Sequence, residues 1–301
     1  MRGILLRKSL VSAFCLSVFS GSRVYSMAAA RSSTPWLGSS PRSVAQVFMF
    51  PMFSDNYGYL IVKPGTKEAA CVDPGDGNAV LQASRDLDLH LVQAWCTHKH
   101  ADHVGGIATL KSALPDLEVI ATRYEEIPHA SRLVSDRDEF SFGDLKVRTL
   151  YTPCHTKGHV LYHVTRDPED EHHTQPILFS GDTLFVGGCG RFFEGNAADM
   201  LRNMDLIATL PETSQVFCAH EYTESNYKFL NSIAPEKVEE KYEGIRGMRR
   251  SGTPTVPSTI AEEIRFNLFM QCHDSQLQER LGASSAEDAM RMLREMKNNF
   301  K

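Results

Sequence analysis

The sequence predicts an α+β protein, in which β-sheets are covered by helices on their outer faces and a small helical domain follows. Three observations lead to this prediction. Short apolar strands alternate with turns and helices between residues 43 and 222. The strand signals stop near Thr223, where helical periodicity takes over. Histidines and aspartates directly follow several strands, so one edge of a sheet is expected to carry a functional site.

The first 42 residues differ in composition from the rest of the chain. The first acidic residue is Asp55, whereas arginine and serine are frequent before it. This composition is typical of a transit segment, so we expect import into mitochondria or another organelle. An apolar run at residues 10–19 leaves a secretory signal open, and a start at Met27 would give a cytoplasmic form. The chain is therefore divided into a targeting segment (1–42), a sheet-containing domain (43–222) and a helical domain (223–301).

The composition is that of a globular protein and restricts the partners. Hydrophobic residues make up 42% of the chain and charged residues 23%. The net charge of -5 argues against nucleic acid as a partner. No apolar run reaches the ~20 residues that span a bilayer, so no membrane partner is expected. The seven cysteines are odd in number and include no CxxC pair, which favours a reducing compartment over a disulfide framework.

Turn signals and periodicity predict the elements of the first domain. Pro64 and Gly65 separate two apolar runs, residues 59–63 and 69–73, which indicates a β-hairpin that ends in the turn beginning at Asp73. The other predicted strands are residues 91–97, 118–122, 145–150, 159–165, 177–180 and 215–219. The predicted helices are residues 78–87, 104–114 and 196–210.

The helical domain is predicted from two amphipathic segments, residues 260–270 and 284–300. Ser284 and Glu287 form a capping-box pattern at the start of the last helix. The polar side of this helix is a basic face that consists of Arg291, Arg294, Lys297 and Lys301. By itself, such a face is typical of the solvated carboxyl-terminal end of a helix.

The motif H-x-H-x-D-H follows the predicted strand at residues 91–97. Its four side chains of metal-ligand type are His98, His100, Asp102 and His103. A tight loop after a strand directs alternate side chains the same way. His98 and His100 are therefore expected to converge on one point. Asp102 and His103, after the turn, are expected to converge on a second point. Six residues cannot complete two four-coordinate shells, so further ligands must come from elsewhere.

Three other strand ends supply candidates for the missing ligands, namely His155, Asp182 and His220. Each of them alone is typical of a turn or of a hydrogen-bonded core residue. Together with the motif, they predict a binuclear metal site at one edge of a sheet. Mixed nitrogen and oxygen donors suit zinc, iron or manganese. Two such cations ~3.5–4 Å apart convert a shared water molecule to hydroxide near neutral pH.

The segments THKHADH, PCHTKGH, SGDTLF and CAHEYT resemble the metallo-β-lactamase superfamily over residues 47–222. This resemblance implies an αββα sandwich that holds two divalent metal ions, with zinc as the first choice, and it implies that Asp102 and Asp182 are catalytic. The implied ligands are His98, His100 and His155 for the first ion, Asp102, His103 and His220 for the second, and Asp182 as a bridge. His159 and His163 lie outside this set and are expected in the core.

A second resemblance narrows the reaction. The segment FVGGCGRFFEGNAADM and the last helix resemble glyoxalase II, the hydroxyacylglutathione hydrolase family. This resemblance implies that a metal-bridged hydroxide hydrolyses S-lactoylglutathione to D-lactate and glutathione. We expect a monomer. The implied glutathione contacts are Arg191, Tyr222, Arg294 and Lys297. The departures from the family pattern are Phe193, where the family often has Tyr, and Leu268 and Gln271 in the segment that matches N-P-F-[ML]-R.

Two rival functions stay open at the level of sequence. A persulfide dioxygenase of similar fold uses a single iron and glutathione persulfide, and it shares the GCGR segment. The helical tail would be surplus in such an enzyme. A non-catalytic binding protein that retains the fold is the second rival. The argument against a non-catalytic binding protein is that all seven expected ligand positions are present in the sequence.

Overall fold

Two large β-sheets of seven and six strands form the centre of the protein. The computed structural model describes residues 35–166 and 174–300. Most of the expected targeting segment, with Met27, and Lys301 of the basic face lie outside these residues. The side chains between the sheets form one apolar core, in which Trp95 and Tyr59 of the first sheet contact Phe179 and Phe217 of the second. The predicted α+β class is therefore confirmed.

The seven-stranded sheet follows chain order from one edge to the other. Its strands are β1 (Trp36–Leu37), β2 (Val47–Met52), β3 (Asn56–Val62), β4 (Glu68–Val72), β5 (His90–Trp95), β6 (Glu118–Thr122) and β7 (Arg132–Val134). Strands β3 and β4 are antiparallel, as the hairpin prediction requires, whereas β4 to β7 are parallel. Because parallel strands end at the same edge, the loops after β4, β5 and β6 are neighbours.

The six-stranded sheet contains the strands from which the other predicted ligands follow. Its strands are β8 (Glu139–Phe142), β9 (Leu145–Tyr151), β10 (Val160–Thr165), β11 (Ile177–Gly181), β14 (Gln215–Cys218) and β15 (Ser258–Thr259), and a separate hairpin consists of β12 (Leu184–Phe185) and β13 (Gly188–Cys189). The strand order is β15-β14-β11-β10-β9-β8. Strands β11 and β14 are parallel, so the residues that follow them leave the sheet side by side.

The helices of the described residues are α1 (Gly77–Asp86), α2 (Ala101–Val104), α3 (Ile107–Ala113), α4 (Ala197–Ala208), α5 (Thr223–Ile233), α6 (Pro235–Arg250), α7 (Ile260–Phe266), α8 (Ser275–Leu281) and α9 (Ala286–Asn299). Helices α1 and α3 cover the first sheet through an apolar cluster that includes Val80, Ile107 and Leu60. Helix α4 packs against α7 and α9 and so joins the helical region to the sandwich.

The structure corrects three predicted helix boundaries. The helix predicted at 104–114 begins only at Ile107, because residues 101–104 form the separate helix α2 and the Gly106 N–H donates to the Pro74 carbonyl (2.9 Å). The helix predicted at 260–270 ends at Phe266, after which the Asn267 side chain accepts from the Phe269 N–H and begins a 3-10 turn. The cap of α9 is Ser285, one residue later than predicted, and its side chain accepts from the Asp288 N–H.

The helical region also contributes to the second sheet. Strand β15 pairs with β14 in antiparallel orientation, and this strand is absent from the sequence prediction. With two residues, it is too short to show any alternation of polar and apolar side chains. None of the helices within residues 35–166 and 174–300 combines the length and the apolar character needed to cross a membrane.

Candidate active site

The loops after β5, β9, β11 and β14 meet at one edge of the sandwich and bring together all seven predicted ligands. Their potential ligand atoms form three groups, each within 4.8 Å: His98, His100 and His155; His98, His103 and Asp182; Asp102, His103 and His220. The first and third groups have the same members as the two ligand sets that the superfamily resemblance implies, and the second joins Asp182 to one histidine of each set. The other two histidines named by the sequence, His159 and His163, are buried in the core as expected.

Asp182 lies between the two sides of the cluster, with His155 on one side and His103 and His220 on the other. Its Oδ2 lies 3.3 Å from His155 Nε2, and its Oδ1 lies 3.5 Å from His103 Nε2 and 3.4 Å from His220 Nε2. One carboxylate oxygen therefore faces each side. The preceding Gly181 has φ +47°, and a Cβ there would lie 2.6 Å from the Thr97 hydroxyl, so only glycine permits this turn.

Hydrogen bonds outside the cluster fix which imidazole nitrogen faces inward. His155 Nδ1 donates to the Arg191 carbonyl (3.1 Å), and His220 Nδ1 donates to the Asp55 carboxylate (2.8 Å). His103 Nδ1 donates to Asp73 (3.0 Å) in the same way. Because Nδ1 carries the proton in each ring, Nε2 keeps its lone pair and points into the cluster.

Asp73 organises the H-x-H-x-D-H loop from the end of β4. Its Oδ1 accepts the Thr97 N–H (2.7 Å), and its Oδ2 accepts the Thr97 hydroxyl (2.7 Å). The Thr97 oxygen is then left to accept from His98 Nδ1 (3.0 Å). Asp73 adopts φ 50°, a conformation that costs energy in a non-glycine residue and that the surrounding bonds must hold.

Sequence reasoning assigned Asp73 only to a turn, although it follows β4 just as Asp182 follows β11. A search for every aspartate or histidine that directly follows a predicted strand would therefore have found Asp73. Ser225 and Asn298 were also missed, and both line the cavity beside the cluster. They lie on α5 and α9, and no local pattern in the sequence shows that these two helices face each other.

The arrangement of nitrogen atoms fits bound cations. His100 Nδ1 lies 3.0 Å from both His98 Nε2 and His155 Nε2, and a single proton on His100 would satisfy only one of these contacts. His103 Nε2 and Asp182 Oδ1 are buried without a hydrogen-bond partner in the described part of the chain. The fold and these clusters therefore support the binding of divalent metal ions.

Burial favours the neutral imidazoles of His98 and His155, which is the form that binds a cation. Burial, with the neighbouring imidazoles, holds the pKa of His98 well below its ordinary value. Burial also lowers the pKa of His155 to about 4, although the Asp182 carboxylate opposes this shift. Burial disfavours the Asp182 carboxylate, but the surrounding imidazoles outweigh it and hold the pKa of Asp182 below its usual range. Metal ligands bind as neutral imidazoles and ionised carboxylates.

A cavity of about 500 Å³ extends from the cluster to helix α9. The residues of the cluster that line it are His100, Asp102, His155, Asp182 and His220. Arg294, Lys297 and Asn298 line it as well. Arg191, Phe193 and Tyr222 also belong to its wall. Five of the seven predicted metal ligands therefore share one cavity with the predicted substrate contacts.

The predicted basic face of α9 is divided between the cavity and the surface. Arg294 is only 7% exposed and donates to the Cys189 carbonyl and to Asn298 (2.9 Å each). Arg291 instead forms ion pairs with Asp288 and Glu295 on the exposed side. Helix α9 therefore turns Arg294 into the protein and leaves Arg291 at the exposed surface.

Lys297 reaches across the cavity wall to α5. Its Nζ donates to the Ser225 carbonyl (2.8 Å) and to the Ser225 hydroxyl (3.0 Å). Burial, together with the positive charges of Arg294 and Lys228, lowers the pKa of Lys297 to about 8. The amine is therefore a cation near neutral pH that loses its charge more readily than an ordinary lysine.

Two aromatic rings flank the cluster on the cavity side. The Tyr222 ring stacks on His220, with centroids 4.8 Å apart and an interplanar angle of 6°. Phe193 is 61% exposed and meets His155 edge-on at 5.1 Å. The absence of a hydroxyl at Phe193 leaves this side of the cavity apolar. Arg191 is exposed and contributes its carbonyl to His155 as well as its charged side chain to the wall.

Comparison with known proteins agrees with this architecture. Residues 54–220 match the metallo-beta-lactamase superfamily. The structure also resembles the crystal structure of ETHE1 from Myxococcus xanthus, with a TM-score of 0.58, 25% identity, and coverage of 81% of this chain and 89% of that chain. The crystal structure of a metallo-beta-lactamase from Staphylococcus aureus has a TM-score of 0.57 and 22% sequence identity, and the match covers 84% of this chain and 71% of that chain. At this level of identity, the match supports the fold alone. Fold and cluster together define a metallo-beta-lactamase superfamily protein.

The helical region identifies the family within this class. Residues 221–300 match the hydroxyacylglutathione hydrolase C-terminus. The cytoplasmic hydroxyacylglutathione hydrolase of Arabidopsis thaliana is 38% identical over 85% of this chain and 99% of its own length. The hydroxyacylglutathione hydrolase of Maricaulis maris is 42% identical over 79% of this chain and 91% of its own length. The chain belongs to the hydroxyacylglutathione hydrolase family.

Proposed function

We propose that the protein hydrolyses the thioester S-lactoylglutathione to D-lactate and glutathione. The observation that carries this proposal is the single cavity that joins the His and Asp cluster to the cations Arg294 and Lys297. Glutathione is an anion whose carboxylates need such cations, while its thioester must reach the reacting centre. The family to which the chain belongs supports the same reaction.

The proposed ligand sets are His98, His100 and His155 for one cation, Asp102, His103 and His220 for the other, and Asp182 for both. When bound, two divalent cations lower the pKa of a water molecule and polarise a carbonyl oxygen. Asp102 orients the attacking water by accepting a hydrogen bond from it. Asn56 holds Asp102 in place by donating to its Oδ2 (3.0 Å).

The remaining residues bind and orient the thioester. Lys297 and Arg294 pair with a glutathione carboxylate, and Arg191 adds a third positive charge near the cluster. Tyr222 offers its hydroxyl to the peptide part of glutathione, whereas Phe193 contributes only apolar contact. Attack of the water oxygen on the thioester carbon breaks the carbon–sulfur bond. The electron pair leaves on the glutathione sulfur, which is protonated to the thiol.

We further propose zinc as the metal, because nitrogen-rich shells of histidine suit it, with iron or manganese as alternatives. The proposed division of the chain is a targeting segment (1–42), a catalytic domain (43–222) and a substrate-binding domain (223–301). We also propose a monomer that is directed to mitochondria or another organelle, with a cytoplasmic form from Met27. The Arabidopsis thaliana relative is named cytoplasmic.

The alternative, a glutathione persulfide dioxygenase with a single iron, has less support. The second ligand group of Asp102, His103 and His220 is complete and its ligand atoms converge, which a mononuclear enzyme does not require. Two equivalents of metal per chain and no oxygen uptake would favour hydrolysis. One iron with oxygen consumption would favour the dioxygenase.

The reaction is tested with S-lactoylglutathione and the metal-loaded protein. Asp182→Ala removes the carboxylate that faces both sides of the cluster, and we expect turnover to fall by at least about a thousandfold. Asp116→Ala is the matched control, because Asp116 is exposed and remote in sequence from every ligand. Thioester hydrolysis by Asp182→Ala at the rate of the control would contradict the proposal.

The substrate contacts are tested by changing cations on one helix. Lys297→Ala removes a charge from the cavity, so KM should rise on the order of tenfold while kcat changes less, because the residue contacts a part of the substrate that does not react. Arg291→Ala removes an exposed cation from the same helix and should leave both constants unchanged. Equal effects of the two substitutions would argue against a glutathione site at this end of the cavity.

A further inference from the structure

A carboxylate that is not itself a ligand joins the two loops that carry the first ligand group. Glu125, in the loop after β6, accepts the Lys99 N–H through Oε1 (2.6 Å) and the Gly158 N–H through Oε2 (3.1 Å). Lys99 stands between the two histidines of the H-x-H motif, and Gly158 follows His155 by three positions. One side chain therefore ties together the main chains from which all three imidazoles project.

The backbone at Gly158 admits this carboxylate because it has no side chain. A Cβ at this position would lie 2.5 Å from Cγ of Glu125, which is too close for any real contact. The close approach lets Glu125 reach between the loops. Glu125 is not among the residues that line the substrate cavity, so it does not contact the thioester.

A second link lies beside the first. Lys99 Nζ and Glu194 Oε1 form an ion pair at 2.6 Å, and Glu194 Oε2 accepts the Lys157 N–H (2.7 Å). The Lys99 and Glu194 side chains are 38% and 27% exposed, so solvent screens this ion pair and its contribution is small. The two backbone bonds of Glu125 are therefore the stronger restraint on the separation of the loops.

We propose that Glu125 is a positioning residue of the metal centre, which fixes the separation between the H-x-H loop and the loop of His155. Hydrogen bonds from backbone N–H groups to a carboxylate are charge-assisted, and two of them on one side chain restrict both loops at once. Ligand atoms that are held in place in advance bind a cation more tightly than atoms that must be ordered on binding. This inference rests on the metal centre proposed above.

The test measures metal release from the metal-loaded protein. Zinc is removed from the wild type, Glu125→Ala and Glu126→Ala with a competing chelator, and the equivalents released are counted. Glu126 is the exposed neighbour with the same charge and makes neither backbone bond, so it is the matched control. We expect Glu125→Ala to release one of two equivalents at about tenfold lower chelator concentration, with the other equivalent unchanged. His155→Ala should lose that same equivalent altogether.

Two further measurements separate positioning from a general effect on folding. The metal-free forms of Glu125→Ala and Glu126→Ala should unfold at the same temperature. Glu125→Gln retains one acceptor oxygen but turns an N–H group toward the other loop, so its zinc affinity should lie between those of the wild type and Glu125→Ala. With the thioester, kcat of Glu125→Ala should fall on the order of tenfold while KM changes little.

Three results would overturn the inference. Zinc release from Glu125→Ala that matches Glu126→Ala would show that the carboxylate does not position the ligands. Weakening of both equivalents together, with a lower unfolding temperature of the metal-free protein, would show a purely structural role. Fewer than two equivalents on the wild type would overturn the proposed metal centre itself, and the inference with it.

Discussion

Three histidines of the cluster, His103, His155 and His220, each have Nδ1 hydrogen-bonded to an acceptor outside the cluster. The acceptors are a backbone carbonyl for His155 and carboxylates for His103 and His220. These partners set the tautomer that a cation requires. Asp55 precedes β3, Asp73 follows β4, and Arg191 belongs to the GCGR segment, so the geometry of the cluster depends on residues far from its histidines in sequence.

At this scale the sequence predicted which histidines and aspartates come together, but not the residues outside the cluster that hydrogen-bond to them. Metal ligands have a strong signature, because few other reasons place three histidines and an aspartate within six residues. Asp55 and Asp73 carry no such signature. A single aspartate before or after a strand is common in turns, and only the three-dimensional contacts distinguish the two roles.

The position of Lys297 in the cavity predicts that kcat/KM depends on pH. Because burial and neighbouring cations lower its pKa to about 8, it is charged below that pH and neutral above it. The charged form binds the anionic substrate, so kcat/KM should decrease as pH rises through about 8. Lys297→Arg keeps the charge at all these pH values and should remove this decrease. A profile that stays the same in Lys297→Arg would assign the decrease to another group.

At the scale of elements, α7 holds the β12–β13 hairpin that precedes Arg191. Glu263 on α7 is fully buried and accepts the Gly187 N–H (2.9 Å) and the Asn267 amide (3.0 Å). Asn267 in turn donates to the Gly188 carbonyl (3.0 Å). The side chains of Glu263 and Asn267 therefore hold the hairpin against the helical region. Asn267 lies at the end of α7, where its side chain reaches the hairpin.

The buried Glu263 makes stability depend on pH. Burial raises its pKa from 4.5 to about 7, although the bonds from Gly187 and Asn267 favour the ionised form. A raised carboxyl pKa means that the folded protein binds the proton more tightly than the unfolded chain does. The stability contribution is therefore complete below about pH 4.5 and is lost as pH rises through about 7.

Glu263→Gln should remove this dependence. Between pH 4.5 and pH 8, the free energy of unfolding of the variant relative to the wild type should rise by about 3 kcal/mol, as measured by urea unfolding. Glu279→Gln, which changes an exposed glutamate, should show a constant difference over the same range. A constant difference for Glu263→Gln as well would mean that the buried carboxyl does not titrate in this window.

The sequence predicted eight of the thirteen described strands of the two sheets, where turn residues separate the apolar runs, and it missed β1, β2, β7, β8 and β15. It failed where tertiary contacts override local preference. Gly106, which lies between α2 and α3, donates to the distant Pro74 carbonyl, and the two-residue strand β15 is defined by its pairing with β14. Such pairings leave no pattern in the local sequence, since the residues involved are compatible with the predicted structure as well as with the observed one.

At the scale of the whole molecule, the cluster connects the two sheets. The H-x-H-x-D-H loop follows β5 of the first sheet, whereas His155, Asp182 and His220 follow strands of the second. Bound cations would therefore crosslink the halves of the sandwich. Ligand binding to the native state alone stabilises it by about 4 kcal/mol at a free concentration of a thousand times Kd.

Metal removal should consequently lower the unfolding temperature by several degrees, and added zinc should restore it. The comparison uses thermal unfolding of the chelated and metal-loaded protein. Asp182→Ala, which lacks the carboxylate between the two sides, should show a smaller difference between the two states. Identical unfolding temperatures with and without metal would show that the cluster does not contribute to the stability of the fold.

The parallel pairing of β11 and β14 has a consequence for the assembly of the cluster. Asp182 directly follows β11, and His220 lies two residues after the end of β14. Paired strands lie about 4.8 Å apart. The backbone hydrogen bonds of the sheet therefore hold the main chains that carry Asp182 and His220 next to each other, independently of the contacts that their side chains make.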